Sequence, residues 1–197
     1  TPAEITLDIN TLNPRRFEEV TVNVNAKDMD TLLNGYVEYG IVGEQQKSSQ
    51  FKLNGIQDSF SAKIPVEYGK GTDLKITAKV FDGGNTPYEK STSIIIANTP
   101  PAKPSITSPK DNDLVNSIKV ESSSSDVDDD DLVAYYYIDN KFLKVDSPST
   151  VIDTNEGKHN LKVSIFDGDD FSANSSVFFT YDFTPPQINL SDKDAIT

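Results

Sequence analysis

The 197-residue chain has no cysteine, no tryptophan, one methionine and one histidine. Without cysteine there is no disulfide-stapled scaffold, no thiol nucleophile and no thiolate zinc site. The single histidine, His159, falls beside Lys158 at the start of an expected strand, where an exposed turn-adjacent side chain is the ordinary case, so a Ser-His-Asp triad has little to draw on. No apolar run approaches the ~18 residues that a membrane-spanning helix needs. The longest runs, such as Ile94-Ile95-Ile96-Ala97, are strand-sized, so this segment is not expected to insert into a bilayer directly. Basic residues are few, 18 Lys and Arg against 31 Asp and Glu, for a net charge of −13. The imbalance is local: residues 1–98 carry 13 acids and 10 bases, residues 99–197 carry 18 acids and 8 bases. Nucleic acid and anionic membrane surfaces both require a basic face, so neither is an expected partner. Cations and basic partners are favoured instead. No glycine-rich phosphate loop is present, since Gly69-Lys70-Gly71 has the wrong spacing. Acid pairs such as Asp128 and Asp167 lack the tryptophan-walled cleft that would suggest glycoside chemistry. The chain reads as non-enzymatic.

What is present is a repeat. Val80-Phe81-Asp82-Gly83 recurs as Ile165-Phe166-Asp167-Gly168, and Thr99-Pro100-Pro101 recurs as Thr184-Pro185-Pro186, both at an offset of 85 residues. Two independent landmarks with one offset indicate a duplicated module with a proline-stiffened joint after each copy.

The hydrophobic period is two. Leu74, Ile76, Ala78 and Val80 alternate with polar residues, as do Leu161, Val163 and Ile165, Val20, Val22 and Val24, and Phe60, Ala62 and Ile64. This is the pattern of strands with one buried face. Strands are expected near 4–9, 18–25, 33–40, 48–53, 58–64, 73–81 and 90–97 in the first copy. In the second they are expected near 104–107, 116–123, 132–139, 141–145, 149–153, 159–166 and 175–182. Seven short strands per copy, with turn residues between them, predict an all-β chain of two tandem immunoglobulin-like β-sandwich domains. The expected layout is a sandwich over 1–98, a Pro-rich spacer over 99–103, a second sandwich over 104–184, and a linker with the start of a third module over 185–197. The chain thus reads as a piece of a longer protein, with neighbouring modules of that chain as its first partners. Alternate tyrosines in Tyr135-Tyr136-Tyr137 place at least one ring in the core and at least one on the surface.

The one constellation that bears on chemistry is the acidic run Asp126-Val127-Asp128-Asp129-Asp130-Asp131, directly before an expected strand. Crowded carboxylates repel one another unless a cation or solvent screens them. Asp126, Asp128 and Asp130 alternate, and a curled loop would turn them to one side. Hard divalent cations need six to eight oxygens. An EF-hand is excluded, because Asp131 and Tyr137 stand where its glycine and glutamate belong and no helix flanks the loop. In a sandwich, the loop between the second and third strands shares a pole with the loop between the last two, which here is Asp167-Gly168-Asp169-Asp170. The candidate metal ligands are therefore Asp126, Asp128, Asp130, Asp167 and Asp169, and the candidate ion is calcium. The competing reading is that these acids only keep an exposed pole solvated. The first copy has a thinner version in Asp28, Asp30 and Asp82.

The pattern Asp-x-Asp-x-Asp-x-Leu-x-x-Tyr, the later Phe-Asp-Gly and the Thr-Pro-Pro joints resemble the tandem cadherin-like, PKD-like and related immunoglobulin-like modules of microbial cell-surface and secreted proteins. The resemblance covers most of residues 100–184 and, in the first copy, mainly 18–40 and 72–99. In that family the loop often reads Asp-x-Asp-Gly-Asp, with Asp129 here at the glycine position. The resemblance implies an extracellular, non-catalytic stalk, surface-layer or adhesin segment stiffened by calcium, with a cell-surface glycan or protein as further partner. The alternative it implies is a polysaccharide- or protein-binding accessory pair of a larger secreted enzyme.

Overall fold

The computed structural model of the chain describes residues 3–29 and 31–187. The start of a third module therefore lies, apart from Gln187, outside the described residues, and so does Asp30. The described residues contain strands, turns and irregular segments and no helix. Among the described residues no helix is long and apolar enough to cross a membrane. The chain divides into two compact units between Thr99 and Pro100.

The first unit contains β1 (Glu4–Ile9), β2 (Glu19–Lys27), β3 (Asn34–Ile41), β4 (Lys47–Lys52), β5 (Gln57–Pro65), β6 (Asp73–Phe81) and β7 (Tyr88–Ile95). They form one sheet of order β1-β2-β5 and another of order β4-β3-β6-β7, with every pairing antiparallel. The alternation legible in the sequence is the alternation of burial. Val20, Val22 and Val24 on β2, Ala62 and Ile64 on β5, and Leu74, Ile76 and Ala78 on β6 all enter one core. Gly35 on β3 is closely packed: a Cβ there would stand 3.0 Å from the Lys79 carbonyl oxygen and 3.2 Å from Phe60.

The second unit contains β8 (Ser105–Ser108), β9 (Asp113–Val115), β10 (Ile118–Ser123), β11 (Val133–Ile138), β12 (Lys141–Asp146), β13 (Ser149–Ile152), β14 (Gly157–Phe166) and β15 (Ser175–Tyr181). Its sheets are β13-β10-β8 and β12-β11-β14-β15-β9. Ile118, Val120, Tyr136, Leu161, Val163, Ile165 and Phe179 form its core. The seven strands expected in each copy are all present. The eighth in the second unit, β9, is three residues long and lies parallel to β15. It carries too few residues to show a period, so only its partner reveals it. β4 pairs with β3 in the first unit and β12 with β11 in the second, giving two sheets of unequal size in each.

The register fixes the poles of each unit. In the second, Ser105 lies opposite Ser123, so the chain enters beside the loop that follows β10. Tyr181 lies opposite Gly157, so it leaves at the other end, beside the loop that precedes β14. In the first unit, Glu4 lies opposite Lys27 and Asp73 opposite Ile95, the same arrangement.

Both segments flanking the second unit are tied to it. The Ala102 backbone N–H donates to the Ser125 carbonyl at 2.8 Å, and the Ser124 hydroxyl donates to the Ala102 carbonyl at 2.6 Å. At the far end, Glu156 Oε1 accepts from the Phe183 backbone N–H at 2.8 Å and from the Thr184 hydroxyl at 2.6 Å. The Thr184 hydroxyl, before the backbone donors, holds the Glu156 carboxyl below its ordinary range.

Candidate metal centre

Two loops at the entry pole of the second unit build the acidic site. The first runs from β10 to β11. In it Asp126 Oδ1 accepts the Asp128 backbone N–H at 2.7 Å, a local turn that short polar side chains favour. Asp129 follows with φ of +62°, the left-handed conformation that aspartate tolerates better than most residues.

The second loop runs from β14 to β15. Asp167 is 5% exposed, and its Oδ1 accepts the backbone N–H groups of Asp169 at 2.8 Å and Asp170 at 2.7 Å. Gly168, with φ of +104°, allows the turn. The loop then closes on the sheet: the Ser172 N–H donates to the Ile165 carbonyl at 2.8 Å, and Ile165 N–H donates to the Ser172 hydroxyl at 2.9 Å.

These turns bring carboxylate oxygens of Asp126, Asp130 and Asp167 within 4.8 Å of one another. Asp126 Oδ2 is buried and accepts no hydrogen bond. Three carboxylates from two loops, one of them well buried, form an oxygen-only donor set suited to a hard cation and unsuited to soft metals. Of the five residues expected from the sequence, three are gathered. Asp128 lies half-buried in the same loop, and its backbone shapes the turn. Asp169 is exposed and contributes a backbone N–H to Asp167.

In the first unit the structure describes Asp28 and Asp82. Asp28 is 6% exposed, its Oδ1 accepts from the Met29 N–H at 2.6 Å, and its own N–H donates to Ile56. Asp82 Oδ1 accepts the Gly84 N–H at 3.0 Å and its Oδ2 accepts from the Tyr88 hydroxyl at 3.3 Å. The Gly84 hydrogen bond is the first cause that holds the Asp82 carboxyl below its ordinary value.

His159 is less exposed than a turn residue would be. Its Nδ1 lies 2.9 Å from Asp139 Oδ2 and its Nε2 2.7 Å from the Asn155 carbonyl, so the ring links the turn after β11 to the loop before β14. Tyr136 faces the core, its hydroxyl donating to the Ser147 carbonyl at 2.6 Å, and burial pushes its phenol upward. Tyr135 and Tyr137 face outward and meet the exposed Phe142.

No family model matches the chain, and no curated protein matches it. Several solved structures do. A fragment of the ICAM-5 ectodomain, domains D1–D4, is 11% identical with a TM-score of 0.52; the match covers 89% of this chain and 53% of that one. Fibronectin(III)-like modules of Clostridium thermocellum CbhA are 21% identical over 90% of this chain and 94% of theirs, with a TM-score of 0.38. A 1.5-MDa bacterial ice-binding adhesin is 16% identical over 92% of this chain and 65% of that one, with a TM-score of 0.36. The chain folds as tandem immunoglobulin-like β-sandwiches. That likeness is one of fold, which by itself assigns no activity.

Proposed function

We propose that the chain is a non-catalytic segment of a longer extracellular protein, a stalk, surface-layer or adhesin piece in which sandwich modules follow one another and calcium stiffens the acidic pole of the second. The observation that carries this reading is the placement of the two ends of the second unit. The chain enters at one pole, where Ala102 is bonded to Ser124 and Ser125, and leaves at the other, where Glu156 holds Phe183 and Thr184. A module whose ends lie at opposite poles adds length with each copy. The proline residues just outside those hydrogen bonds limit the freedom of the joints.

Calcium fits as the stiffening element because Asp126 directly follows Ser125, which accepts the entering strand's N–H. A cation held by Asp126, Asp130 and Asp167, with Asp128 and Asp169 on the same two loops, would neutralise their repulsion and tie the entry segment to both loops. An extracellular setting is consistent with a fold shared with the ICAM-5 ectodomain. Calorimetric titration of the chain with calcium tests the reading. Saturable heat, lost in Asp167→Asn and accompanied by a higher Tm in calcium than in EDTA, supports it. No heat and an unchanged Tm leave the acidic pole a solvated surface and remove calcium from the proposal.

A further inference from the structure

The repeat that defines the two copies also duplicates an aromatic pair, and the two copies use it differently. In each unit a tyrosine (on β3 or β11) and a phenylalanine at the end of the strand paired with it (β6 or β14) lie on the outer face of the larger sheet. In the first unit they are Tyr36 and Phe81, with ring centroids 5.9 Å apart and planes inclined by only 29°. In the second they are Tyr135 and Phe166, 6.1 Å apart but inclined by 80°. The second pair is closed by Phe171, which lies 5.0 Å from Tyr135 and 4.6 Å from Phe166. Register places Val133 opposite Phe166 and Val145 opposite Tyr135. The corresponding positions of the first unit are Asn34, opposite Phe81, and Gln50, opposite Tyr36.

The first unit thus has an open groove of about 480 Å³ lined by Tyr36, Phe81, Phe51, Asn34, Gln50 and Lys52, with Gly35 at its base. Phe51 is set by stacking on Phe60 at 4.4 Å, which ties the groove to the core. Tyr36 is held by Lys79, whose Nζ lies 5.6 Å from the ring centroid and 2.7 Å from Glu38 Oε2. Asn34, Gln50 and Lys52 are exposed at the rim.

We propose that this groove is a saccharide-binding site that takes pyranose units of a glycan chain, those bearing a carboxylate most tightly. A pyranose presents apolar C–H groups on its faces and hydroxyls around its edge. Two rings inclined by 29° match the faces, since the negative face of an aromatic ring attracts C–H groups. The two amides, each both donor and acceptor, match the edge. Among the described residues Lys52 is the sole charged group that lines the groove, and it lies in the less acidic half of the chain, residues 1–98 with 13 acids and 10 bases. It selects for an anionic sugar, whereas the aromatic pair of the second unit is steeply inclined, packed against Phe171, and faced across the strands by valines in place of amides. The three-aspartate cluster found among the described residues lies in the other unit, and no carboxylate lines the groove, so binding here is expected in the absence of calcium.

The test is a titration of the whole ¹⁵N-labelled chain, in EDTA, with hexagalacturonate and with neutral cellohexaose. The expected result is a set of shifted amides around Tyr36, Gln50, Lys52 and Phe81, with Kd on the order of 1 mM or tighter. Binding is expected to vanish in Tyr36→Ala and persist in Tyr135→Ala. Lys52→Ala is expected to weaken the acidic ligand about tenfold and leave the neutral one unchanged. The amide spectrum of each variant reports whether it is folded, and Lys52→Ala, at an exposed position, keeps the test valid if Tyr36→Ala unfolds. The proposal is overturned if neither hexasaccharide shifts these amides at about 10 mM, or if the shifts fall on the second unit. Equal affinity of Tyr36→Ala, folded, and the parent chain would overturn it as well. Loss of calcium binding in the separate titration would leave this result untouched.

Discussion

Replacing Asp126 by asparagine is expected to have opposite effects on stability with and without calcium. The carboxylates of Asp126, Asp130 and Asp167 approach within 4.8 Å. At that separation a pair of unit charges repels by about 1 kcal/mol in water and about 3 kcal/mol at the effective dielectric of a protein surface. Asp126 and Asp130 are only half-buried, so the lower figure is the appropriate one. Asp130 is near Asp126 in sequence and repels it in the unfolded chain too. Asp167 lies on a distant strand connection, so its repulsion of Asp126 belongs to the folded state. Asp126→Asn removes that repulsion, keeps the Oδ1 acceptor of the Asp128 N–H, and places a donor where Oδ2 is buried without a partner. In EDTA the second unit should gain about 1 kcal/mol, a rise of roughly 4–8 °C for a domain of this size. In excess calcium the order should invert. A ligand at 100 times its Kd stabilises by about 2.7 kcal/mol, and the variant forfeits much of this with its ligand. Differential scanning calorimetry of the chain reads both, the first unit's transition serving as internal reference. A variant that is less stable in EDTA refutes the repulsion argument. A gain of equal size in EDTA and calcium refutes calcium as the ion.

Three further outcomes follow from the packing. Gly35→Ala forces a Cβ to within 3.0 Å of the Lys79 carbonyl, and is expected to cost the first unit about 1–3 kcal/mol in urea unfolding, with the second unit unchanged. Phe179→Ala, at a core position 2% exposed, is expected to cost the second unit about 3–5 kcal/mol; a loss below 1 kcal/mol would mean that the site collapses around the deletion. Acid should loosen the contact between β12 and β13. Lys144, then Thr150 and the Ser147 N–H, hold the Asp146 carboxyl well below the usual carboxylate range. A depressed native value means that the stabilisation is complete above the ordinary carboxylate pKa near 4 and fades as pH falls below it. Asp146→Asn should therefore flatten the acid limb of a stability-against-pH curve measured by denaturant unfolding; an unchanged limb would show that other carboxylates set it.

The sequence by itself determined the repeat, the strand class and most strand positions, because burial on one face of a sheet writes a period of two directly into Val20, Val22 and Val24 or Leu161, Val163 and Ile165. The expectation that the two acidic loops share a pole followed from the sandwich topology that the strand count implied. Tertiary structure decided what depends on partners far away in the chain. The pairing of β9 with β15 leaves no local signal in three residues. The side chains that gather were Asp126, Asp130 and Asp167, a choice made by the Asp126 and Asp167 turns and by Gly168, whereas alternation alone would have grouped Asp128 equally. The segment after Thr99 reads as a spacer from its prolines, yet Ala102 is bonded to Ser124 and Ser125, because hydrogen bonding to a loop more than twenty residues away has no compositional trace. The same holds for the groove at Tyr36 and Phe81. Each copy carries the same tyrosine and phenylalanine, and the angle between the rings is set by what stands across the strands: amides and a lysine in one unit, valines and Phe171 in the other.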